Sequence, residues 1–162
     1  MDFLERAVEQ WTDIVPEHDL SPFLTTGRIL RMASIITHAS EKRLAQSGVN
    51  RGEFNLLCVM RRSGKTCRAS ELSALTESSG AAITKRLERL SDAGFVERQE
   101  LPRDRRVVLV NLTEHGKQFV DDLFPMMLLT ENAYLDVLSE EEHAALAGIL
   151  GKLLAVLDPA DY

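Results

Sequence analysis

Residues 70–113 read SELSALTESSGAAITKRLERLSDAGFVERQELPRDRRVVLVNLT. The stretch opens with a short apolar helical pattern and a turn. A second helical pattern follows, with Ile83, Leu87 and Leu90 on one side and Lys85, Glu88 and Arg89 on the other. Two amphipathic helices joined by a tight turn are the pattern of a helix-turn-helix. Gly94 stops the second helix, and Phe95 to Glu100 and Val107 to Leu112 read as two strands. The segment joining them, Pro102-Arg103-Asp104-Arg105-Arg106, is too charged for a core and reads as the tip of a hairpin. A helix-turn-helix followed by such a hairpin is a winged helix. The expected fold class is therefore mainly α, an α+β winged helix with further helices at both ends.

Within the second helix, about 100° of rotation per residue puts Gly80, Ile83, Leu87 and Leu90 on one face. Ser78 or Ser79 can cap the helix, which leaves its positive end facing outward, suited to a phosphate. Ser79, Ala81, Ala82, Thr84, Lys85 and Arg89 form the expected DNA-facing set. Small residues let a helix approach base edges, Thr offers a methyl contact to thymine, and Lys or Arg donates to guanine or phosphate. Arg86 falls at the boundary of the apolar face and is better placed to point into an inner cleft. Arg103, Arg105 and Arg106 complete the DNA-facing set from the wing, where a narrow minor groove favours inserted arginine.

The 162 residues carry a net charge of -6, which by itself disfavours a polyanionic partner. The distribution reverses that reading. Residues 61–117 hold 12 Lys and Arg against 8 Asp and Glu, whereas the rest holds 7 against 17. A basic middle between acidic arms suits a nucleic-acid reader on a helical frame. No apolar run is long enough to span a bilayer, and the first residues lack the basic region of a signal peptide, so the expected location is the cytoplasm, with no membrane partner. His18, His38, His115 and His143 form no metal-ligand spacing, and neither a nucleophile elbow nor a glycine-rich phosphate loop appears. The reading is a non-enzyme without metal or cofactor. Cys58 and Cys67 make no CxxC pair; Cys58 reads as a packed helix residue, and the alternative is a thiol that senses redox state.

The flanking segments read as helices. Phe3, Leu4, Ala7, Val8, Trp11, Ile14 and Val15 lie at helical spacing before Pro16. The single Trp11 either anchors this helix by burying its ring or forms one wall of a ligand pocket. Ser21-Pro22 is expected to cap a long helix reaching Gly48, and Asn50 with Glu53 to form a capping box for a central helix ending at Ser63-Gly64. After the wing, a helix starts near Thr113-Glu114-His115-Gly116; Pro125 lies inside it and is expected to kink it or break its hydrogen bonding. Ser139 with Glu142 caps a last helix carrying Leu146, Ile149, Leu150, Leu153, Leu154 and Leu157, an apolar face wide enough to call for a second subunit.

These residues resemble the MarR family of bacterial winged-helix transcription regulators. The resemblance is carried most specifically by residues 87–98, LERLSDAGFVER, by Asp104-Arg105-Arg106 and by residues 110–116, VNLTEHG. It implies a single domain over 1–162, with helical dimerisation regions at 1–48 and 114–162 and a DNA-binding lobe at 50–113. It also implies a homodimer on a pseudo-palindromic operator of double-stranded DNA, released by a small molecule. The added first helix with Trp11, residues 48–54 and residues 79–87 look like the urate-responsive subgroup. That likeness implies a ligand set of Trp11, an acidic residue at position 55, and Arg86, with an aromatic or purine-like effector. Asn55 stands where the subgroup has Asp, which removes a negative charge that would pair with Arg86. The alternatives are a winged helix serving as a protein-interaction module and a thiol-based redox regulator.

Overall fold

The computed structural model describes residues 1–101 and 104–158, and no side chain between 100 and 106. The chain is mainly helical with a small sheet. In order it forms α1 (Phe3–Ile14), α2 (Ser21–Gln46), α3 (Arg51–Ser63), β1 (Cys67–Arg68), α4 (Ala69–Leu75), α5 (Gly80–Asp92), β2 (Val96–Leu101), β3 (Asp104–Leu112), α6 (Glu114–Leu135) and α7 (Glu140–Leu157). Two compact units result, Met1–Val120 and Asp121–Tyr162. None of the described helices is long and apolar enough to cross a membrane.

The core of the first unit gathers around α3. Phe54, Leu56, Leu57, Val59 and Met60 are all buried on this helix, and they meet Leu72 of α4 and the face of α5 formed by Ile83, Leu87 and Leu90. Each such side chain contributes roughly 1.5–3 kcal/mol by leaving water. Asn50 and Glu53 form the capping box expected of them, and Gly64 closes α3 in the left-handed conformation at φ 64°. Gly94, at φ 75°, follows the end of α5. Glu77 in the turn between α4 and α5 also takes a positive φ, 48°, which a side chain tolerates poorly.

The sheet is antiparallel in the order β1-β3-β2. Val110 sits at its centre, opposite Cys67 on one side and Arg98 on the other, and is fully buried. β1 has only two residues, too few for any alternation to be read from sequence. β3 begins at Asp104, so the backbone of Arg105 and Arg106 belongs to a strand and not to the hairpin tip. The ladder is irregular between Glu100 and Leu101, where Leu101 pairs with Asp104.

Two other expectations change. Ser21 does not cap α2: it is already helical, and the carboxylate of Asp19 accepts from its amide and hydroxyl at 2.9 and 2.8 Å. Those bonds, the amide's first, hold the Asp19 carboxyl below its ordinary range. Pro125 lies inside α6 as expected, with ten or more residues of helix on each side; proline removes one N–H from the helix ladder. Trp11 is not buried as an anchor; it is 46% exposed. The docking of α1 on α2 is done by Leu4, seated over Gly27, and by Arg28, which meets Asp2 at 2.8 Å and Glu5 at 2.7 Å.

Candidate nucleic-acid interface

α5 is presented by its apolar side. With Ile83, Leu87 and Leu90 sealed into the core, Ala81, Thr84 and Lys85 are exposed and Ala82 is half-buried. Ser79 caps the helix, its hydroxyl accepting from the amide of Ala82 at 3.3 Å. Only one amide of the first turn is satisfied that way, so the positive end still faces solvent. The hydroxyl of Thr84 donates to the carbonyl of Gly80 at 2.9 Å. That bond uses its only proton, so the hydroxyl can now only accept, and the methyl remains for apolar contact.

Arg86 lies half-buried and folds back toward α3. Its Nη1 donates to the hydroxyl of Ser78 at 2.7 Å. The guanidinium also covers Gly52 so closely that a Cβ there would stand 2.7 Å from it. The lack of a side chain at position 52 is thus what admits Arg86, which serves as a strut between the turn before α5 and the first turn of α3. Arg89, one turn further on, is 58% exposed, and its Nη1 lies 2.9 Å from Oε1 of Glu53, which is only 2% exposed. The other oxygen of Glu53 accepts from the amide of Asn50 at 2.9 Å. Sequence reasoning recognised Glu53 as a cap and missed it as an ion-pair partner, because the cap is local and the pair joins two helices.

Asn50, Glu53, Ala82, Lys85, Arg86 and Arg89 line a cleft of about 290 Å³. Of the expected ligand set, the cleft takes in Arg86 but neither Asn55 nor Trp11. Asn55 is exposed on α3, roughly 200° around the helix from Glu53. Trp11, Asn55 and Arg86 therefore do not share this cleft. A larger cleft, of about 660 Å³, opens between the end of α3, the segment after it, the end of β3 and the start of α6, lined in part by Lys65, Thr66, Asn111 and Lys117. There Thr66 donates to the Asn111 side chain at 2.6 Å.

On the wing, Arg103 lies outside the described residues, as do the side chains of Arg105 and Arg106. Arg98, at the base of the wing on β2, stands 3.9 Å from Glu88. The cysteines offer little to a redox sensor. Both are free; Cys67 is buried with its sulfur 3.3 Å from the Ser63 hydroxyl, and burial pushes the Cys58 thiol up to about 11. Cys58 is therefore a thiol at neutral pH and not the reactive thiolate.

Comparison with known proteins places this geometry among regulators. A model of the MarR family matches residues 47–107, from the start of α3 into β3. The HTH-type transcriptional regulator PecS of Dickeya dadantii is 29% identical over 148 residues, which are 90% of this chain and 89% of PecS. The transcriptional repressor MprA of Escherichia coli K12 is 30% identical over 136 residues, 83% of this chain and 77% of MprA. A cysteine-to-serine mutant of MarR from E. coli, solved in complex with operator DNA, superposes with a TM-score of 0.68 at 26% identity, over 85% of this chain and 99% of that one.

Proposed function

Because this chain belongs to the MarR family of transcriptional regulators, whose members are not enzymes, we infer that it is a homodimeric repressor of the cytoplasm. It binds a pseudo-palindromic operator and is released from it by a small aromatic or purine-like molecule. The observation that carries the reading is α5: its apolar residues are sealed inside, and Ala81, Thr84 and Lys85 stand exposed beside a capped helix end. Two such helices, one from each protomer, would enter successive major grooves, with Ser79, Ala82 and Arg89 at their margins. Arg103, Arg105 and Arg106 of the wings would reach the flanking minor grooves. The complex of the E. coli relative with operator DNA supports DNA binding.

Dimerisation is assigned to residues 1–48 and 114–162, around a DNA-binding lobe at 50–113. Apolar side chains without cover support it: Phe3, Leu30 and Ile35 on the first two helices, and Leu154, Val156 and Leu157 on α7, are each at least half exposed. The effector is assigned to Trp11, Asn55 and Arg86, with the partner protomer supplying the closure that one chain does not provide. An effector acts here only through its differential affinity for the DNA-binding and released states.

Mobility shift against the DNA upstream of the protein's own gene tests the reading. Salt-sensitive, sequence-dependent binding is expected, and Arg105→Ala should weaken it about fivefold or more, whereas Arg6→Ala leaves it unchanged. Equal affinities of the two variants would refute the wing assignment; specific capture of a partner protein with no DNA binding would favour an interaction module. For the effector, a thermal-shift series of urate, other purines and aromatic carboxylates on the parent and on Asn55→Asp is decisive. Stabilisation by one of these compounds is expected in the parent and a gain of urate stabilisation in Asn55→Asp; no shift by any compound in either protein would remove the ligand assignment.

A further inference from the structure

Glu53 is the one side-chain group among the described residues that is buried, charged and short of a hydrogen bond. Its Oε2 is committed to the amide of Asn50, and its Oε1 has no hydrogen-bond donor although Arg89 Nη1 stands 2.9 Å away. The N–H of Arg89 is out of line with that oxygen, so the pair is held by charge and not by a directed bond. Arg89 itself keeps more than half of its side chain in solvent, on the side of α5 that also carries Lys85 four residues before it. A carboxylate at 2% exposure is screened by salt far less than a surface one, so it offsets the arginine's charge at any ordinary ionic strength.

We propose that Glu53 is a specificity-determining residue of the DNA-reading surface: it neutralises Arg89 in the free protein and so keeps α5 from gripping duplex phosphate without regard to sequence. This rests on the DNA-binding reading above. Non-specific affinity follows the number of free cations that displace counterions from the duplex, and the Glu53 pairing lowers that number by one in each protomer. Because the cap holds Glu53 in place, the carboxylate cannot follow Arg89 outward. Arg89 leaves it only when a phosphate is positioned to replace it, which a register set by base contacts provides. The missing hydrogen bond makes that exchange feasible, since no directed bond to Arg89 has to break.

The test is Glu53→Gln, which removes the charge and keeps the capping bond, as glutamine serves the same box. Binding is measured on the upstream duplex and on a scrambled duplex of equal length, from about 50 to 200 mM salt. Glu53→Gln should tighten binding to the scrambled duplex five- to tenfold, steepen its salt dependence by about one ion per protomer, and narrow the ratio between the two duplexes. In an Arg89→Gln background the same change frees no cation and should leave the salt slope unchanged, whereas Arg89→Gln alone, which leaves the Glu53 carboxylate unpaired, should weaken scrambled-duplex binding. Unchanged or weaker binding of the scrambled duplex by Glu53→Gln, or a steeper salt slope that persists without Arg89, overturns the proposal. If the parent binds neither duplex, the DNA-binding reading itself falls.

Discussion

Replacing Gly116 by alanine is expected to lower the thermal unfolding midpoint by roughly 6–12 °C, the equivalent of about 3 kcal/mol in a chain of this size. A Cβ at this position would run into the carbonyl oxygen of Phe95 and stand 3.2 Å from a methyl of Leu112. The first obstacle is backbone and is tied in place. The carbonyl of Phe95 accepts from the amide of Thr113 at 3.1 Å, and the hydroxyl of Thr113 donates to the carbonyl of Gly94 at 2.7 Å while accepting from the amide of Gly116 at 2.9 Å. The first turn of α6 is in this way riveted to the junction of α5 and β2. An added methyl must push α6 off that junction, and relief by a rotamer change is not open to it. Gly80→Ala is the control: nothing lies within 4 Å of its Cβ position, and alanine is the better helix former, so its midpoint should stay level or rise. A Gly116→Ala protein that melts with the parent would show that the close approach is not obligatory.

The second large effect is expected from charges on α7. Its Leu154 and Leu157 are 60% and 79% exposed, and no residue of this helix is buried. The double change Leu154→Glu, Leu157→Glu therefore touches no core and should leave the fold intact by circular dichroism. If a second copy covers this helix, two carboxylates per protomer would be forced out of water without partners, which is prohibitive. The protein should then elute and scatter light as a monomer. Operator affinity should fall 100-fold or more, since the second half-site contact loses the effective concentration that linkage supplies. A dimer that persists with both substitutions would place the protomer contact elsewhere.

The capping signals were legible because they are local. Asn50 with Glu53, Ser79, and Ser139 with Glu142 occupy the positions their spacing implied, since a cap involves residues within three of each other. The apolar stripe of α5 was legible for the same reason, and with it the inner side of the lobe. Ser21 misled because proline at the second helical position looks much like proline at the first, and only the bonds that Ser21 donates to Asp19 separate the two. Trp11 misled because an apolar stripe states that a helix has something to bury without stating what it meets.

From its own pattern the chain determined the winged helix, the order of its helices and the hairpin, because periodicity, caps and glycine stops act within a few residues of one another. Only the tertiary structure decided the pairing of Glu53 with Arg89, the seat of Arg86 on Gly52 and the contact of Gly116 with Phe95. Each of these joins helices or strands distant in sequence. Their geometry depends on how α3, α5 and α6 pack, and a linear pattern carries the faces of those helices but not the residues that face one another across them.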